Sequence, residues 1–293
     1  MAETITIAGE RLFPESITAD AAGNIYVGSN PGTIFRAERG SAVARPWIVP
    51  DAANGLQSVF GVLADDRRGL LWVCSNPNTL SRPPQQGVTA IKAFALADGH
   101  LLATYPFPAG GPAMCNDMTI AANGDIYASD MLGARIVRLR ANGTAFEPWA
   151  ASEHFAGLDG ISFGPGGALY ANNIQRNLLL RIPAGSDGLA GEVEVVPTSH
   201  PLDGPDGLRR LDADRMLQSE GNAGTITILT FADDGCADVE VIASGVDYAS
   251  SVTHFRGRAY FPEGKLSYLF DPSKAGQHPG TFTIRSVAIP EAD

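Results

Sequence analysis

The 293-residue sequence predicts an all-β fold: one domain, residues 1–293, built as a six-bladed β-propeller with four-stranded blades around a central channel. Three observations lead there. Six stretches are rough copies of one another, opening at Glu15, Phe60, Asn116, Asp159, Asp206 and Ser250, with spacings of 45, 56, 43, 47 and 44 residues. The 33 glycines and 20 prolines recur between short apolar runs, as strands and turns require. No long stretch carries a helical apolar period.

Each copy supplies two strands directly. In the first, Ile17–Ala19 leads to a turn at Ala21–Asn24 and a return at Ile25–Gly28. Outer strands are expected at Thr33–Arg36, Ile136–Leu139, Leu178–Arg181, Ile226–Leu229 and Leu266–Leu269. A ring of blades must close, because an unpaired sheet edge invites association. Glu3–Ile7 and Thr281–Ile284 are the candidate closing strands, with either one outermost. The spacing of 56 marks an insertion, read as a loop running from Asn76 through Ser81–Pro84 to Gly87. Gly110–Pro112 is a second such loop. Both either shape a pocket at one mouth of the ring or serve as plain connections.

Bulk properties narrow the partners. A net charge of -11 and a pI near 4.9 argue against nucleic acid and anionic membranes, and favour a cation or a neutral small-molecule substrate. Three cysteines, Cys74, Cys115 and Cys236, are too few and too odd in number for a disulfide framework. The start of the chain has no basic, apolar targeting pattern, and no run is long enough to cross a bilayer. The expectation is a soluble cytoplasmic protein, a monomer or small homo-oligomer.

In a propeller the innermost strands line the channel, so the six opening residues fall on one ring. Glu15, Asn116, Asp159 and Asp206 carry oxygen ligands, three of them carboxylates. Carboxylates crowded into a narrow channel repel one another and resist desolvation, a conflict that a divalent cation resolves. Hard oxygen donors suit calcium first, then magnesium or manganese, with zinc a further option that no His or Cys in the ring favours. The alternative is that these residues are turn and edge polars meeting water, Asp159-Gly160 and Asp206-Gly207 being common turn pairs. A second ring, at the far end of each returning strand, holds Ser29, Ser75, Asp130, Asn173, Glu220 and Glu263. Asp130, Asn173 and Glu220 are its candidate substrate contacts, and solvated rim charges are the alternative. His154 and His200 precede Asp159 and Asp206 in loops and are candidate substrate-contacting acids or bases, or exposed loop residues. His254 is expected between blades, and Cys115 turned to the core.

Phe13-Pro14-Glu15, Cys115-Asn116-Asp117 and Pro205-Asp206-Gly207 resemble motifs of the senescence marker protein/gluconolactonase/luciferin-regenerating enzyme family, over nearly the whole chain. Relatives of that regucalcin-like family include diisopropyl fluorophosphatase and the paraoxonases. The resemblance implies a six-bladed propeller holding a divalent cation, usually calcium, and hydrolysis of lactones or phosphoesters. It implies Glu15 and Asp206 as metal ligands and Asn116 as a ligand or substrate contact. Asp159 stands where the family usually has Asn, which keeps an oxygen ligand and adds a charge. The histidine that some relatives carry near the end of the chain has no counterpart; Glu263-Gly264 occupies that region.

The expected function is therefore a metal-dependent lactonase. Its cation, held by Glu15, Asn116, Asp159 and Asp206, polarises the carbonyl, and Asp206 or Asp159 activates water. Direct attack by a carboxylate is the rival route. A metal-assisted isomerase, cyclase or lyase is the alternative reaction class, and a non-catalytic propeller with a structural cation is the third reading.

Overall fold

The apolar alternation in each copy folds into an antiparallel meander, because every second side chain can be buried while the backbone pairs with its neighbour. The computed structural model describes residues 4–78, 85–185, 188–232, 235–274 and 276–291. Among these residues the chain is all-β, in five sheets. Four are four-stranded meanders. The fifth has eight strands, and its one parallel pairing, Thr4–Ile7 against Val43–Ile48, divides it into two further four-stranded halves. One half holds Pro14–Ala19, Ile25–Ser29, Ile34–Ala37 and Val43–Ile48; the other holds Thr253–Phe255, Arg258–Pro262, Phe282–Ala288 and Thr4–Ile7.

The N-terminal strand thus lies outermost in the last unit, antiparallel to Phe282–Ala288 with Ile5 opposite Ile284. Of its expected residues, Glu3 lies outside the described residues. Six apolar clusters bind the units together, each between one meander and the next. Trp72, Cys74 and Ile91 meet Met118, Ala128 and Val137 between the second and third units. Tyr260, Phe282 and Ile284 meet Ile17, Val27 and Phe35 between the sixth and first. The core is therefore a ring of inter-unit seams, with the innermost strands facing the axis.

The structure departs from expectation at three places. Leu266–Leu269 is not a strand: Ser267–Phe270 is a short helix, held by Tyr268 and Leu269 amides bonding to the Lys265 and Leu266 carbonyls. Its apolar run misleads because Phe282–Ala288 already takes the edge of Arg258–Pro262. Cys74 and Cys115 form a disulfide, both residues wholly buried, their α-carbons 5.3 Å apart. Adjacent units bring together two cysteines 41 residues apart in sequence, which their number alone does not reveal. Of the insertion, Ser81–Pro84 lies outside the described residues, while the Asn78 and Gln85 backbones bond across its neck. Among the described residues no helix is long and apolar enough to cross a membrane.

The third departure concerns the Asp-Gly pairs. Both lie inside innermost strands, Leu158–Phe163 and Pro205–Arg210, not in turns. The glycine is needed because the next unit's backbone passes close by. A Cβ on Gly160 would come within 2.2 Å of the Asp206 carbonyl oxygen, and one on Gly207 within 2.7 Å of the Ser251 α-carbon. Backbone on both sides leaves nothing flexible to yield. Gly160→Ala is expected to lower unfolding stability by about 1–3 kcal/mol, the usual range for overpacking, as read from chemical denaturation. Unchanged stability would remove the close approach from the account.

Candidate active site

Five of the six repeat-opening residues sit in a β-bulge. Pairing with the second strand slips between Pro14 and Ser16, Val59 and Val62, Cys115 and Met118, Leu158 and Ile161, and Pro205 and Leu208. These gaps contain Glu15, Phe60, Asn116, Asp159 and Asp206. A bulge leaves a residue unpaired and re-aims its side chain. Here all five line one cavity of about 260 Å³.

Hydrogen bonds between units hold the bulges in place. Asn76 of the second unit brackets Cys115 in the third, donating to its carbonyl at 2.8 Å and accepting from its amide at 3.0 Å. The Ser129 hydroxyl donates to the Asp159 carbonyl at 2.7 Å, and the Asn172 amide donates to the Asp206 carbonyl at 2.8 Å. Ser250 closes the series by donating to the Pro14 carbonyl at 2.9 Å.

Glu15, Asp159 and Asp206 bring three carboxylates together, with Asn116 donating to Asp159 Oδ2 at 3.1 Å. Asp159 and Asp206 expose only 4% and 8% of their surface. No lysine or arginine lines the cavity among the described residues. Arg209, in the same innermost strand as Asp206, is taken by Asp117, through Nη1 to Oδ2 and Nη2 to Oδ1 at 2.9 Å. That buried pair links the third unit to the fifth across the channel, and Asp117 Oδ2 also accepts the Ile161 amide at 3.2 Å. Burial first, and neighbouring acids second, therefore hold the site carboxyls above their ordinary range. Glu15 is raised to about 8 by desolvation and by Asp159. Asp159 is raised to about 7, chiefly by desolvation and also by Asp117, against the hydrogen bonds it shares with Asp206 and Asn116. Asp206 is raised well above the usual carboxylate range, by burial, by Asp159 and by Glu15. Asp159 and Asp206 lie close enough that the charge of Asp159 opposes ionisation of Asp206.

Among the described residues no three His, Cys, Asp or Glu side chains are drawn together tightly enough to cage a metal unaided. The donor chemistry still fits a hard divalent cation. Three carboxylates and the Asn116 amide face one cavity, with no lysine or arginine among its described lining residues.

The second ring is placed elsewhere. Asp130, Asn173 and Glu220 do not line the cavity; they brace the loops that precede the bulges. Asp130 accepts the Met114 and Gly133 amides at 2.9 Å and pairs with Arg135 at 2.8 Å. Asn173 donates to the His154 and Ala156 carbonyls at 2.6 and 2.8 Å. Glu220 accepts the Asp203 amide at 2.7 Å. His154 lies against Arg176 and His200 is exposed beside Ser199, both away from the cavity. His254 bonds the Arg210 carbonyl of the neighbouring unit at 3.0 Å. Phe60 is part of an apolar wall with Met114, Met131, Ile174, Leu266 and Phe270. Asp117 was legible only as the neighbour of an opening residue, and Tyr248 of the cavity wall lies two residues before one, so the repeat pattern pointed at neither.

Comparison with known proteins follows the same lines. The Strictosidine synthase-like, N-terminal family matches residues 1–37. No curated protein matches the chain. Solved structures match over most of its length. A gluconolactonase from Xanthomonas campestris is 17% identical, with a TM-score of 0.65, covering 97% of this chain and 89% of that one. Regucalcin, a calcium-binding protein from Agrobacterium tumefaciens, is 16% identical at a TM-score of 0.64, covering 99% and 98%. A catalytically inactive histidine-to-alanine variant of virginiamycin B lyase from Staphylococcus aureus, with quinupristin, is 13% identical at 0.62, covering 98% of each. These likenesses show the fold. Gluconolactonase and regucalcin are also the proteins that the sequence motifs resemble.

The raised carboxyls set a direction for pH dependence. A folded pKa above the unfolded value means that the native protein holds protons which the unfolded chain releases, so this stability is full at low pH and lost as pH rises. The melting temperature of chelator-treated protein is expected to fall between about pH 4 and about pH 8, the window set by Glu15 and Asp159. Glu15→Gln should flatten that fall. A melting temperature rising across the window contradicts the assignment.

Proposed function

We propose that residues 1–293 form a single six-bladed β-propeller domain that opens a lactone or related cyclic ester with the help of a divalent cation, calcium before magnesium, manganese or zinc. The observation that carries this reading is the set of three carboxylates, two of them buried, that line one cavity with no lysine or arginine among its described lining residues. The gluconolactonase and regucalcin neighbours support it.

Glu15, Asn116, Asp159 and Asp206 would hold the cation. When bound, it supplies Lewis-acid polarisation of the substrate carbonyl and lowers the carboxyl pKa values by offsetting their repulsion. Asp206, which lines the cavity and is buried beside Asp159, is the carboxylate that would accept a proton from attacking water, with Asp159 as its neighbour. Asn116 orients Asp159 through its amide. The apolar wall of Phe60, Met114 and Met131 limits the water that reaches the acids and so strengthens their action.

A metal-assisted lyase is the second reading, favoured by the virginiamycin B lyase neighbours. One of these is inactive when a histidine is replaced by alanine. Here no histidine lines the cavity among the described residues, which favours the hydrolase.

Elemental analysis of purified protein is expected to find one divalent metal per chain, absent from Asp206→Asn. On a panel of lactones the wild type should open at least one ring, and Asp206→Asn should lose about 10²–10⁴-fold in kcat/KM, the usual contribution of a general base. Failure of metal-replete protein to open any lactone, with no response to chelator, would sink the proposal.

A further inference from the structure

Tyr248 is held in a conformation that aromatic residues rarely adopt. Its φ is +61°, in the left-handed region where a side chain crowds the backbone. Three contacts keep it there. Its carbonyl accepts the Gly264 amide at 2.9 Å, and the Asp247 carbonyl beside it accepts the Lys265 amide at 2.9 Å. Its ring lies flush against Gly221, where a Cβ would approach within 2.9 Å of the ring carbons. Strain of this kind persists only where surrounding structure imposes it, and it gathers at sites that use the side chain.

The imposed position has a consequence for ligand access. Tyr248, Leu266 and Phe270 line the acidic cavity and also a second, wider hollow of about 620 Å³ that includes Asn222, Asp247 and Ser267. Tyr248 therefore stands at the junction of the two. Burial first, and then the nearby Asp206, Asp159 and Glu15, oppose ionisation of its phenol. It remains a neutral donor, and its hydroxyl makes no hydrogen bond to any described residue.

We propose that Tyr248 is a substrate-contacting residue whose hydroxyl donates a hydrogen bond to an ester oxygen of a ligand lying across the junction of the two hollows. This rests on the hydrolase reading for the ester. The placement of the donor does not depend on turnover, so the two are tested apart. The ligand class is a neutral cyclic ester with a substituent long enough to extend past Phe270, because a ring alone fits the first cavity without reaching the second.

The test uses the full chain carrying tyrosine labelled with carbon-13 at Cζ and methionine labelled at the methyl carbon, titrated with 6-pentyl-δ-valerolactam, a hydrolysis-resistant mimic of a cyclic ester with an extended substituent. Seven tyrosine signals are expected, that of Tyr248 being the one missing from Tyr248→Phe. Should that variant not fold, Gly221→Ala, which displaces the ring, makes the assignment. The lactam is expected to shift the Tyr248 signal together with Met114 and Met131. In turnover, Tyr248→Phe should lower kcat/KM about tenfold with melting temperature and metal content unchanged, the scale of one lost hydrogen bond. Methionine shifts with a stationary Tyr248 signal overturn the proposal and leave the cavity as a ligand site. If neither moves, the proposal falls as well. A shifted Tyr248 with no lactone opened by the wild type upholds the contact and overturns only the hydrolase.

Discussion

Like charges cannot share one cavity without compensation, and Glu15, Asp159 and Asp206 line one together. The chain has a guanidinium close at hand in Arg209 but commits it to Asp117. Compensation for the three site acids must then come from solution, as protons or as a cation. The two compete for the same oxygens, which couples metal affinity to pH. The site is thus tuned by what the protein withholds from it as much as by what it supplies.

Holding such a set together requires a frame that does not relax. Each acid sits in a bulge, and each bulge has its carbonyl tied to the preceding unit: by Ser129 for Asp159, by Asn172 for Asp206 and, for the strand that carries Glu15, by Ser250. The close backbone approach at Gly160 and Gly207 works in the same direction, since innermost strands packed without side chains between them cannot slide apart cheaply. Repulsion among the carboxylates is resisted by neighbouring units together rather than by any one of them.

The repeat period made the meanders legible, and it made the opening residues legible because a fixed register maps directly onto position around a ring. The bulge was not legible, since nothing in Asp159-Gly160 distinguishes a turn from a strand whose neighbour passes within van der Waals reach. The second ring misled for a related reason. Asp130 and Asn173 return to the same end of their meanders, but their polar atoms are consumed by the loops that the bulges need, and hydrogen-bond demand of that sort is set by the fold. Cys74 with Cys115, Asp117 with Arg209, and Tyr248 against Gly221 are all long-range pairings, invisible to a reading that moves along the chain. Leu266–Leu269 shows the limit of apolar pattern itself: a short run reads as strand or helix until one knows whether the adjacent edge is already occupied.

The outermost strand of the last unit is Thr4–Ile7, paired with Phe282–Ala288 and touching the first unit through Val43 and Ala44. During synthesis the first of these segments leaves the ribosome long before the second exists. The first five meanders can form in order as they emerge, each on local contacts, while Ile5 and Ile7 wait without a partner sheet. Completion of the ring is therefore a late event of high sequence separation, the slow kind in folding. Since Glu15 belongs to the first unit and Asp206 to the fifth, with the late-completed sixth unit between them, the acidic cavity is assembled last, after most of the nascent chain has already found its shape.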